Sequence, residues 1–172
     1  MLPEPFASDP RAYGALVVIL ALALVAQRFM GWRRYKMLHS LRTIIFPLLD
    51  GKKGLFLVSG KGYTDDAEYL TTVDESVRGV FQTLVSEGDG SPHLLSSIKV
   101  RELPNGDKQY SAAHVVWTHT DGAQTEAYLF SSPEGGTDVY VHVEASVIYP
   151  REHLEGEQID GDTRGVVAEA LA

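Results

Sequence analysis

Residues 95–149 read LSSIKVRELPNGDKQYSAAHVVWTHTDGAQTEAYLFSSPEGGTDVYVHVEASVIY, and this stretch decides the fold. Apolar and polar residues alternate along most of it. Alternation is the mark of strands with one face buried. The alternation breaks at Asn105-Gly106, at Asp121-Gly122 and around Glu134-Gly135-Gly136. Asn-Gly and Asp-Gly between alternating runs signal hairpins, because tight hairpin turns need positive φ. The spacing predicts four strands, approximately 95–103, 109–119, 124–131 and 138–149, joined as an antiparallel meander.

Two-residue turns fix a register. Centred on Asn105-Gly106, the first turn pairs Val100 with Ser111. Centred on Asp121-Gly122, the second pairs Trp117 with Glu126 and Val115 with Tyr128. Centred between Glu134 and Gly135, the third pairs Phe130 with Val139. One face then collects Ile98, Val100, Ala113, Val115, Trp117, Tyr128, Phe130, Val139, Val141, Val143, Ala145 and Val147. Turns placed separately agree on a single apolar face, which register requires.

An apolar sheet face needs a cover. Just upstream, Asp74 has N-cap chemistry, Val77, Val80, Phe81, Leu84 and Val85 recur at helical spacing, and Gly88 stands where a C-cap belongs. The pattern predicts a helix over 75–87 lying on the sheet. Weaker signals predict strands at 55–59 and 68–73 and a short closing helix over 163–171.

The N-terminal third has a different character. Residues 12–27, AYGALVVILALALVAQ, carry no charge. With Phe29, Met30 and Trp32 continuing the apolar run, the sequence predicts a transmembrane helix over 12–32, given a bilayer core of about 30 Å. Tyr13 at one end and Trp32 with Tyr35 at the other read as an interfacial aromatic belt. Arg28, Arg33, Arg34, Lys36 and Arg42 follow closely, and the positive-inside tendency then places the C-terminal side in the cytoplasm. The expected organisation is an extracytoplasmic tail (1–11), the span (12–32), a basic juxtamembrane segment (33–53) and an acidic α+β domain (54–172). Arg33, Arg34, Lys36 and Arg42 are the candidate membrane-surface residues, with the lipid bilayer as partner.

Charge is segregated along the chain. Residues 28–53 have seven basic side chains against Asp50, whereas residues 54–172 carry 7 basic and 20 acidic ones within an overall net charge of −8. An acidic body of this kind repels phosphates, so nucleic acid is not an expected partner. The excess of carboxylates suits a high-salt interior, where repulsion is screened, and this sets a halophilic expectation. Cysteine is absent, which removes disulfides, thiolate metal sites and cysteine nucleophiles.

Candidate chemistry gathers on the polar face of the expected sheet, at Lys99, Arg101, Tyr110, His114, Tyr140, His142 and Glu144. His142 and Glu144 share a strand face about 7 Å apart. A hydrolase-type acid–base pair is one reading of them. The expected register holds His114 roughly 12 Å away, and two ligands from one strand do not make a metal site. No metal or cofactor is expected. Ser59-Gly60-Lys61-Gly62 lacks the Walker spacing and reads as a turn. No nucleophile elbow or calcium loop is present.

The stretch EYLTTVDESVRGVFQTLVSEG, residues 68–88, resembles the opening of START-like (polyketide cyclase/Bet v 1) domains, where a strand passes through Asp or Ser into a helix with a V-x-x-V/L-F pattern. The resemblance implies a sheet wrapped on a helix and a small-ligand or lipid-binding role. It carries over no site residues, and the segment 163–171 is much shorter than that family's closing helix. The sequence as a whole leads to a non-enzymatic, membrane-tethered domain that binds a partner protein or lipid through its sheet face. A START-like ligand module and a hydrolase using His142 and Glu144 are the alternatives.

Overall fold

The computed structural model describes residues 30–49, 61–94, 98–146 and 164–172. Its elements are α1 (Trp32–Leu49), β1 (Lys61–Tyr63), a 3-10 turn (Asp66–Glu68), β2 (Tyr69–Val73), α2 (Val77–Ser86), β3 (Ser91–Pro92), β4 (Ile98–Glu102), β5 (Lys108–Tyr110), β6 (Ala113–Thr118), β7 (Ala123–Ser131), β8 (Thr137–Ala145) and α3 (Gly165–Ala170). The expected strand at 55–59 lies outside the described residues. Lys61 and Gly62, expected in a turn, open β1.

The expectation of one four-stranded meander is corrected to two sheets. Strands in the order β2-β8-β7-β6-β3 form a five-stranded sheet, and β1-β4-β5 form a separate three-stranded sheet with β1 parallel to β4. The expected strand 109–119 breaks where the chain changes sheets. Ser111 N–H donates to Lys99 O at 2.9 Å in the small sheet, and the next amide, Ala112, donates to Leu129 O at 2.7 Å in the large one.

The register is also corrected, by one residue at each hairpin. The chain closes Leu103 N–H onto Asp107 O (2.8 Å), His119 N–H onto Ala123 O (2.9 Å) and Ser132 N–H onto Gly136 O (3.1 Å). Each loop therefore holds three residues, ending in Gly106 (φ 82°), Gly122 (φ 90°) and Gly135 (φ 103°). This is the type I turn followed by a left-handed glycine, the commonest hairpin after the two-residue forms. Val115 pairs with Ala127 rather than Tyr128, and Leu129 rather than Phe130 pairs with Val139. A one-residue slip turns a strand over. The face toward α2 is thus Ala113, Val115, Trp117, Ala127, Leu129, Val139 and Val141, packed with Val80, Phe81, Leu84 and Val167. Tyr128 and Phe130 stand on the opposite face.

Helix α2 forms where the spacing predicts it, with Ser76 rather than Asp74 as N-cap: Gly79 N–H donates to Ser76 Oγ at 3.2 Å. The connection from α2 into β3 is drawn tight against β6. Trp117 Nε1 donates to Gly88 O at 2.5 Å, and a β-carbon at Gly90 would collide with Val115 and the Leu84 carbonyl. The sheet-closing helix α3 places Val167 in the core.

The membrane expectation is corrected as well. Among the described residues no helix is long and apolar enough to cross a membrane. Trp32, the expected last residue of the span, instead begins α1, with its ring centroid 5.0 Å from that of Phe81. Tyr35, expected in an interfacial belt, is fully buried and 4.8 Å from the same ring. Aromatic burial of this kind uses up the side chains that would have anchored a helix end in headgroups. Residues 12–29 of the expected span lie outside the described residues.

Candidate functional site

Because side chains alternate along a strand, the even-numbered residues of β7 and β8 form the face turned away from α2. Directly paired there are Gln124 with Glu144, Glu126 with His142, Tyr128 with Tyr140 and Phe130 with Asp138. The small sheet covers this face. Lys99 and Arg101 of β4 reach it: the Lys99 ammonium lies 5.0 Å from the Tyr128 ring, and the Arg101 guanidinium lies 4.8 Å from Phe130 and 5.8 Å from Tyr140. The result is a buried ionic layer between two sheets.

The layer is a continuous chain of polar contacts. His93 Nε2 meets Glu126 Oε1 at 3.1 Å. Gln124 Nε2 donates to Glu126 Oε1 (3.0 Å) and to Glu144 Oε1 (2.8 Å). His142 stands between two carboxylates, Nδ1 at 2.7 Å from Glu68 Oε1 and Nε2 at 3.5 Å from Glu144 Oε2. Lys99 Nζ also reaches Glu68 Oε1, at 3.4 Å. Tyr128 donates its hydroxyl proton to Glu126. Glu68 is positioned by the 3-10 turn, where Asp65 N–H donates to Glu68 Oε2 at 3.2 Å in a capping box. Beside this chain, Arg101 Nη1 meets Asp138 Oδ2 at 2.6 Å, Nε donates to Gln109 and Nη2 to Ser131 O, while Thr72 Oγ1 donates to the other Asp138 oxygen at 2.5 Å.

These contacts set the charge states. Hydrogen bonds to Glu144 and Glu68 raise the His142 imidazolium to about 9, against burial and Lys99. Burial alone would raise Glu68, but His142 and Lys99 together hold it below the usual carboxylate range. Burial would likewise raise Glu126, and the contacts of His93 and Tyr128 outweigh it and hold the carboxyl well down. Burial and the Glu126 charge keep the Tyr128 phenol protonated. For Asp138, Thr72 and Arg101 outweigh burial and lower it. A histidine held as imidazolium at neutral pH has no lone pair, so it neither accepts a proton nor binds a metal. Its two N–H groups are spent on fixed carboxylates. Among the described residues no group of three His, Cys, Asp or Glu side chains is set to hold a metal ion.

The structure brings together Lys99, His142 and Glu144 from the sequence reading, and brings Arg101 to Tyr140. His114 borders the layer without joining its ion pairs: it is the cross-strand partner of Tyr128, its Nε2 bonds Ser111 Oγ, and its ring lies between His39 (5.3 Å) and Tyr128 (4.8 Å). His39 Nε2 in turn meets Ser111 O at 2.8 Å. Of the basic residues of α1, Arg33 and Arg34 are exposed, whereas Lys36 turns inward. Lys36 donates to Ala112 O at 3.2 Å, lies 5.8 Å from the Trp32 ring, and is lowered by burial. The Arg42 side chain lies outside the described residues. Sequence reasoning missed Glu68, His93, Gln124, Glu126, Tyr128 and Asp138. The D-x-x-E pattern at Asp65 and Glu68 was a readable capping signal. Gln124, Glu126 and Tyr128 became visible only with the correct β7 register, and His93 and Asp138 only with their long-range partners Glu126 and Arg101.

Tyr110 is separate from the ionic layer. Tyr63 of β1 and Tyr110 of β5 both pair with Val100, one on each side of β4. Residues paired across strands point to the same face, so both tyrosines leave the sheet opposite to Lys99 and Arg101. They are 58 % and 42 % exposed. Lys108 Nζ donates to Tyr63 Oη at 2.9 Å and lies 5.3 Å from its ring. Comparison with protein families, curated proteins and solved structures finds no match to the chain.

Proposed function

We propose that the chain is a non-enzymatic binding module that takes a partner protein on the outer face of its small sheet. The observation that carries this reading is the pair Tyr63 and Tyr110. They flank Val100, which is buried between them, and remain about half exposed on a sheet whose other side is fixed by ion pairs. Tyrosines present large contact area with a polar tip and little entropy to lose, which is why they are enriched where proteins bind proteins.

The ionic layer supports the same reading by what it leaves unused. A hydrolase working through His142 and Glu144 needs a histidine that changes its protonation near neutral pH, and His142 is held charged. A START-like cavity would lie between helix and sheet, where Phe81 and Leu84 pack among Val115, Trp117 and Leu129. The test is affinity capture with the wild-type chain and with a Tyr63→Ala/Tyr110→Ala variant of unchanged thermal stability. The reading expects at least one partner to be lost with the variant. An identical set of partners overturns it.

A further inference from the structure

Helix α1 has two faces of different chemistry. Its inner face is fastened: Tyr35 and His39 are buried, and Trp32 and Leu38 pack against the same core. Its outer face carries Arg33, Arg34, Met37 and Leu41, with Met37 65 % and Leu41 50 % exposed. Arg33, Met37 and Leu41 follow one another at four-residue steps and so form one stripe along the helix, with Arg34 beside its start. Met37 and Leu41 are one helical turn apart, so their exposed apolar surface is contiguous rather than scattered.

We infer that this stripe is a peripheral contact surface for an anionic lipid bilayer. Guanidinium groups bind phosphate oxygens through paired N–H donors. A lysine-free stripe with two arginines at one end and two thioether and aliphatic side chains beyond them matches a headgroup layer over acyl chains. An acidic protein surface would satisfy the arginines but not Met37 and Leu41. The acidic body does not cancel the attraction. Exposed charges farther than about 8 Å from the headgroups are screened at physiological salt, while the stripe sits in contact. Lys36 is excluded from this surface by its inward bond to Ala112.

The experiment is vesicle flotation of the full chain on neutral phosphatidylcholine and on vesicles containing 30 % phosphatidylglycerol, a probe fraction of about a third being ample for a surface-potential effect. The wild type prefers the anionic vesicles, and the preference falls with added salt. Each arginine near such a surface contributes about fivefold, so Arg33→Gln/Arg34→Gln reduces the preference by about 25-fold. That variant binds neutral vesicles as the wild type does, and Arg78→Gln, at an exposed position of α2, changes neither figure. A double variant that keeps the anionic preference overturns the inference, as does a wild type with none. A dimer in solution that the double variant abolishes assigns the stripe to a second copy and overturns it too.

Discussion

The Tyr35 hydroxyl accepts a 2.7 Å hydrogen bond from the backbone N–H of His114, joining α1 to the start of β6. Both partners are buried. An amide deprived of its acceptor there has no water to turn to, so Tyr35→Phe costs about 1–3 kcal/mol while keeping the ring contacts. Chemical denaturation reads the loss, and hydrogen exchange at the His114 amide speeds up with it. A variant as stable as the wild type would mean that α1 is not part of the domain.

Arg101 ties the small sheet to the large one through Asp138, Ser131 and the faces of Phe130 and Tyr140. Removing one member of a buried pair leaves the other charge unmatched, which costs about 3–5 kcal/mol. Arg101→Ala is expected to lose that much in denaturant titration. Arg101→Lys recovers only part of it, because an ammonium cannot bond Asp138 and Ser131 while stacking flat on two rings. Full recovery with lysine would show that charge alone matters.

Stability should fall on both sides of neutrality, for separate reasons. Glu126 is lowered from 4.5 to about 2 on folding, so its contribution is complete above about pH 4.5 and is lost as pH falls toward 2. His142 is raised from 6.5 to about 9, so its contribution is complete below about pH 6.5 and is lost as pH rises through 9. Thermal melts of wild type and His142→Gln across pH 6–10 check the alkaline limb: the variant should lack most of the slope. Glu126→Gln should flatten the acid limb and leave the alkaline one.

Two hairpin glycines, Gly106 at the end of its loop and Gly136 just after the third, share a positive φ but differ in their surroundings. Nothing stands within 4 Å of a β-carbon built on Gly106, whereas one on Gly136 collides with the Val73 carbonyl. Gly106→Ala therefore costs only the backbone strain, about 1 kcal/mol. Gly136→Ala adds displacement of the β2 edge, and its melting temperature should drop clearly further. Equal drops would argue against the close approach of β2 to the β7–β8 loop.

The helix α2, the hairpin positions and the strand character of 98–145 were legible because each has a local cause: helical spacing, a glycine at positive φ, alternation. Register was not. Asn105-Gly106, Asp121-Gly122 and Glu134-Gly135 look like two-residue turns, yet each glycine closes a three-residue loop. The same displacement at all three let the pairings agree with one another while β7 was inverted. Tyr128 and Phe130, read as core, therefore turned out to face the ionic layer, and Glu126 went unnoticed. Nor could the sequence show that Ser111 and Ala112 bond to different sheets, since that depends on long-range pairing. Lys99 and Arg101 on β4 and His142 and Glu144 on β8 were found together because strand parity puts each pair on the polar side of its strand, although the two strands lie in facing sheets rather than in one. Glu68, the partner of Lys99 and His142, lies about thirty residues before the one and some seventy before the other, and only the fold brings it to them.

The state of His142 decides between a structural ionic layer and a working acid–base site. Nitrogen-detected NMR of the full chain, labelled in its histidine rings, follows that residue directly through pH. The account predicts both ring nitrogens protonated at pH 7.5 and a titration midpoint near 9. A midpoint at 6–7, with a neutral ring at pH 7.5, would contradict it and restore His142 as a candidate base.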